Sequence, residues 1–140
     1  MVNSLAAPSF KLLRKLGVNI NKPILKKLLY KPFLTAQHRC QKRNDYEMMV
    51  DPFTQDKTIT YCFKKCPITD FAKQFHLEGL MPAMCNDDCL ALAMIHAKLI
   101  RAKNYSTGDI CDFTILEEKN LDYINQHPEY VDDNGFIRNK

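Results

Sequence analysis

The stretch Gly108-Asp109-Ile110-Cys111-Asp112-Phe113-Thr114-Ile115-Leu116-Glu117 decides how this chain folds. Side chains alternate across a strand, so Cys111, Phe113 and Ile115 share one face and Ile110, Asp112, Thr114 and Leu116 the other. Both faces are apolar apart from Asp112. An aspartate in such a strand needs a hydrogen-bonding partner; the plainer reading has it capping the amides of a nearby turn. Upstream, Ser106-Thr107-Gly108 reads as a turn and 98–105 as a second strand. The two strands are expected to pair antiparallel across it.

Working outward, 46–50 and 58–63 are rich in strand formers, with Asp51-Pro52-Phe53-Thr54-Gln55-Asp56 as a hairpin connection. Cys66-Pro67 opens a helix over 67–76, with Ile68, Phe71, Ala72 and Phe75 on one face, before Gly79 breaks the pattern. A second helix starts at Pro82 or Asn86 and reaches His96, and a short last one covers 121–126. This order implies an α+β fold: a mostly antiparallel sheet with helices packed on one face, preceded by an N-terminal helical arm. The expected divisions are a basic helical arm at 1–44, an α+β core at 45–127, and a polar, loose tail at 128–140.

The arm carries ten Lys or Arg and no acid, whereas the rest of the chain has ten basic and all sixteen acidic residues. Two short helices are expected, near 10–16 and 23–30, docked through Leu12, Leu13, Leu16, Leu25, Leu28 and Leu29. The charge suits weak contact with a membrane surface or an acidic partner. No interleaving of aromatic and basic residues follows, so nucleic acid is not an expected partner.

The chain is long enough for one domain with a real core. It has no long apolar run, and Lys11, Arg14 and Lys15 interrupt any leader-like segment. These features point to the cytoplasm, where six cysteines are free, catalytic or metal-bound more often than paired. Two C-x3-C pairs, Cys62/Cys66 and Cys85/Cys89, with His76 and His96, raise structural zinc; Cys62 in mid-strand and Cys89 in mid-helix argue against it. No phosphate-binding loop or dinucleotide fingerprint is present, and no cofactor is expected.

Three segments place a cysteine beside a helix start or a carboxylate, settings in which a thiol becomes a thiolate. Cys66 occupies a helix N-cap position. Cys85 sits three residues before Asp88, on a stripe that includes Met81, Met84, Leu92 and Ile95. Burial there raises a carboxyl pKa toward values useful in acid–base work. If the helix instead starts at Asn86, Asp87 and Asp88 are ordinary first-turn acids. Cys111 precedes Asp112 in the late strand.

The ordered set Cys66-Pro67, a helix ending near Gly79, Cys85-x-x-Asp88, Arg101 and Gly108-x-x-Cys111-Asp112-Phe113 resembles the L-2-amino-thiazoline-4-carboxylic acid hydrolase family. The resemblance covers about residues 61–116. It implies a small-molecule substrate and a hydrolase that opens a cyclic amidine, cutting a thiazoline ring to a carbamoyl-cysteine. On that reading the catalytic set is Cys66, Cys85, Asp88, Cys111 and Asp112 around one pocket. Cys85 or Cys111 is the nucleophile, Asp88 the base, and Asp112 orients a partner or holds the substrate amino group; Arg101 forks onto the substrate carboxylate. The rival is a non-catalytic small-molecule or metal-binding sensor module that uses the cysteines as ligands. Convergence of Cys85, Asp88, Cys111 and Asp112 within hydrogen-bond reach in one pocket favours catalysis; the two aspartates on opposite sides of the domain favour the binding module.

Overall fold

The computed structural model describes residues 7–54, 58–105 and 108–140. Four strands, β1 (Glu47–Val50), β2 (Ile59–Lys65), β3 (Ala97–Ile100) and β4 (Cys111–Glu117), form a sheet in the order β1-β2-β4-β3, every pair antiparallel. The protein is α+β, as the pattern of periods implies. The alternation along β4 holds: Cys111, Phe113 and Ile115 join Ile59, Tyr61 and Leu99 in one core cluster. Leu116 is buried on the opposite face. Parts of both expected turns, residues 55–57 and 106–107, lie outside the described residues.

Helices α1 (Ala7–Lys15), α2 (Pro23–Arg43) and α5 (Asp87–Ala93) close over the first face. The N-terminal segment is therefore built into the main core through Ile20 and Tyr30, with Leu13, Leu29 and Phe33 packed against them. Leu12, Leu16 and Leu28, expected as docking residues, are exposed instead. The second helix runs thirteen residues past Tyr30, with Pro32 inside it. An inward row continues through Phe33, Ala36 and Cys40, which explains the extension. Lys26 is buried on that row, paired with Glu117 at 2.7 Å. Among the described residues no helix is long and apolar enough to cross a membrane.

Four further expectations need correcting. The helix over 82–96 is two pieces, α4 (Met81–Cys85) and α5; the alternative start holds for α5, with Asn86 at its N-cap position and Asp87 and Asp88 in its first turn. It ends at Ala93, where tight i→i+3 bonds lead to His96 at φ 61°. In α3 (Pro67–Gln74) the inward residues are Thr69 and Ala72. Phe71 and Phe75 lie outside, with rings 4.5 Å apart. The expected strand 98–105 stops at Ile100, because Arg101 leaves the ladder to bond the chain's C-terminal end. Beyond α6 (Leu121–Gln126), that end is a hairpin of β5 (Glu129–Val131) and β6 (Ile137–Asn139), not a loose tail. Asp132 Oδ1 accepts the N–H groups of Asn134 and Phe136, and Gly135 supplies the positive φ of the turn. Phe136 then buries against Ala72 and Met81.

Candidate functional site

The sheet supplies one wall of the site. Across the β2–β4 pairing, Tyr61 faces Phe113 and Phe63 faces Cys111. The Tyr61 and Phe113 rings stack at 4.8 Å with planes 5° apart. Phe63 stands edge-on to both, and Phe33 of α2 lies 4.8 Å from Tyr61. Such pairs add about 0.5–1.5 kcal/mol each beyond simple burial, so the wall is stiff.

The second wall comes from shorter pieces: Cys66 and Ile68 at the start of α3, Met81, Met84 and Cys85 of α4, Asp88 of α5, and Arg101. Between the walls is a cavity of about 480 Å³, which Cys66, Cys85, Asp88, Arg101 and Cys111 all line. Asp112 does not line it. By strand alternation it points away, and its Oδ1 accepts the N–H groups of Ala102 at 3.0 Å and Lys103 at 2.6 Å. The plainer reading of Asp112, a cap on nearby amides, describes its position. It holds the turn that carries the chain away from Arg101. Cys62 shares this outer face, opposite Asp112 in the ladder.

Arg101 is 1% exposed, and its surroundings define it. Nη1 donates to the Cys85 carbonyl at 2.9 Å, and Nη2 donates to Asn86 Oδ1 at 2.9 Å. Nε and Nη2 both donate to the Ile137 carbonyl, at 3.2 and 2.7 Å. The backbone N–H of Arg101 bonds Asn139 Oδ1, and Asn139 N–H bonds back to the Arg101 carbonyl. The expected fork is thus turned onto Ile137. Of the five N–H groups a guanidinium carries, one on Nη1 is left over. None of the ion pairs among the described residues includes Arg101. A buried cation with only neutral acceptors is under-compensated.

Burial works against ionisation of Cys85 and Cys111 in this setting. Burial pushes the Cys85 thiol up to about 11, against the pull of Arg101. Cys85 also ends its short helix instead of starting one, so the helix dipole gives no help. Burial raises Cys111 as well, opposed by the Tyr105 N–H, which donates to its Sγ at 3.1 Å. Cys66 does sit at the N-cap position of α3, ahead of Pro67, but its side chain makes no capping bond. Asp88 lines the cavity and is exposed at the start of α5, though the protein packed around its carboxyl partly dehydrates it. That dehydration raises its carboxyl, with Arg101 pulling the other way and Asp87 adding to the rise. Among the described residues no three His, Cys, Asp or Glu side chains come together as a metal site.

Several participants were not singled out in the sequence. Tyr61 and Tyr46 line the cavity beside the thiols. Tyr61 is raised well above the usual phenol range by burial first and by Asp88 next, and Tyr46 is pushed up to about 12, mainly by burial. Alternation from Cys111 and Phe113 could have pointed to Tyr61 once the strand pairing was known. Asn86, Ile137 and Asn139 act on Arg101 from far along the chain, and no local pattern announces them.

No curated protein and no solved structure matches the chain. The family model described as L-2-amino-thiazoline-4-carboxylic acid hydrolase matches residues 5–115. That span takes in every residue lining the cavity, from Phe33 to Phe113. The match covers most of the sequence, and the chain belongs to the L-2-amino-thiazoline-4-carboxylic acid hydrolase family.

Proposed function

We propose that the protein hydrolyses a 2-amino-thiazoline-4-carboxylate-type ring at its amidine carbon. The observation that carries this is the meeting of Cys66, Cys85, Cys111, Asp88 and Arg101 around one cavity of about 480 Å³. Cys111 is the preferred nucleophile, because the Tyr105 N–H at its sulfur strengthens as negative charge develops there. A thiol this weakly acidic needs a base at the moment of attack, and Asp88 is placed in the same cavity with a raised pKa.

In the first half-reaction Asp88 takes the Cys111 proton and a Sγ–C bond forms at the amidine carbon. The ring C–S bond breaks, and the ring sulfur receives the proton. In the second, Asp88 deprotonates water, the hydroxide adds to the same carbon, its remaining proton passes to the former ring nitrogen, and the Sγ–C bond breaks as Asp88 returns its proton to the thiol. The product is the carbamoyl-cysteine. Arg101 offers the substrate carboxylate its charge and one N–H, a single contact and not a fork. Cys66 and Cys85 flank the reacting carbon, and Asp112 keeps the turn after Arg101 in place.

The test is turnover of L-2-amino-thiazoline-4-carboxylate by purified protein, read as released thiol. The expected result is steady thiol release that Cys111→Ser abolishes. Binding of the compound without thiol release would sink the hydrolase reading in favour of the binding-module one.

A further inference from the structure

We infer that a second cavity, between α2 and the turn into β1, extends this site and holds a second anionic group of the substrate, a carboxylate or a phosphate. The inference rests on the hydrolase reading above. The cavity is about 600 Å³, and its cations are Lys31, Arg39 and Arg43. With Thr35 they recur at four-residue steps, so they stand in one stripe along α2. Ala36, Cys40 and Tyr46 line both cavities, so the cationic stripe borders the mouth of the reactive one.

An ordinary basic helix face is solvated and laced with acidic partners. This one has no such lacing. None of the ion pairs among the described residues includes Lys31, Arg39 or Arg43. Asp45, the acid in the lining, uses its Oδ1 to accept the Tyr46 N–H at 2.7 Å. Like charges on successive turns repel, and an anion among them relieves that repulsion.

Space points the same way. The family's ring compound has about nine non-hydrogen atoms; at no more than a water's share of about 30 Å³ each, it needs roughly 270 Å³. The inner cavity of about 480 Å³ leaves room on the α2 side for an arm running to the stripe. Arg101 meets one anionic group with a single N–H, and the stripe meets the second.

The test uses the full chain and two probes, pyrophosphate for a phosphate arm and citrate for a carboxylate arm, with binding measured by calorimetry at low salt. The comparison protein is Lys31→Gln/Arg39→Gln/Arg43→Gln, all exposed positions. One probe is expected to bind in the millimolar range or tighter and to weaken about tenfold or more in the variant. The tighter probe identifies the arm. No binding of either probe to the native chain, or binding that the variant leaves unchanged, overturns the inference. Variant-sensitive binding in a protein that releases no thiol from the thiazoline keeps the anion site and overturns the hydrolase reading instead.

Discussion

The two walls of the cavity are built by opposite means. The sheet wall, with Tyr61, Phe63, Cys111 and Phe113, is held by neighbouring rings and a regular ladder. The helical wall, with Cys85, Asp88 and Arg101, is held by hydrogen bonds from residues dozens of positions away. The first is stiff and apolar. The second is polar and depends on the C-terminal hairpin. The ring-stacked wall thus presents one candidate nucleophile, and the hydrogen-bonded wall presents the candidate base and the candidate anion-binding cation.

The sharpest separation comes from Asp88→Asn. Loss of a general base lowers turnover by about two to four orders of magnitude. Stability moves the other way. Burial raises the native carboxyl above its unfolded value, so the native state holds a proton that the unfolded state releases. Stability is therefore lost as pH rises from the unfolded pKa through the native one. Asparagine removes that loss, so the variant should unfold at higher urea than the native chain at neutral pH. The same raised carboxyl puts the acid limb of the native rate profile above the ordinary carboxylate range, and a limb at the usual position would remove Asp88 as the base.

Breaking each wall should give different losses. Phe113→Ala opens the ring stack and should cost about 3–5 kcal/mol in urea unfolding. Arg101→Met removes the guanidinium donors from the Cys85 and Ile137 carbonyls, while Asn86 Oδ1 keeps the Ile137 N–H, for roughly 2–5 kcal/mol. Only the second should speed amide exchange in the hairpin at Ile137 and Asn139, and equal exchange in the two variants would erase the distinction between walls. Next in size is thiol chemistry. With its pKa pushed from 9.0 to about 11, Cys85 should alkylate about a hundredfold more slowly near pH 7 than an ordinary thiol, accelerating up to that pH. The smallest effect belongs to Asp112→Ala, which frees two amides outside the cavity and should cost about 1–2 kcal/mol with turnover reduced less than by Asp88→Asn.

The same contrast explains what could be read in advance. Alternation in β4 is a local signal, so the facing of Cys111 away from Asp112 and the antiparallel pairing of β3 with β4 followed from neighbouring residues. The resemblance carried Cys66, Cys85, Asp88 and Arg101 to their candidate roles. The start of α5 after Asn86 was one of the two starts the sequence offered; the separate piece before it, the early end of β3 and the ordered C-terminal hairpin were not legible. Each depends on a hydrogen bond spanning more than thirty residues, between Asn86 and Ile137 or between Arg101 and Asn139. The thiols were misjudged for another reason: proximity to charge is visible in sequence, but dehydration is not, and at Cys85 dehydration wins.

The family match ends at residue 115, yet the acceptors that aim Arg101 lie at Ile137 and Asn139. A chain cut at that boundary would keep every cavity-lining residue and lose the rigging of one of them. The rigging runs from the turn glycine: Asn86 Nδ2 donates to the Gly135 carbonyl, while its Oδ1 takes the N–H of Ile137 and an Nη2 hydrogen of Arg101. Gly135 holds φ 86°, which a side chain adopts only under strain. A substitution there reaches the guanidinium through one asparagine. The hairpin tip, a surface turn, is therefore tied to the guanidinium in the cavity wall through two hydrogen bonds.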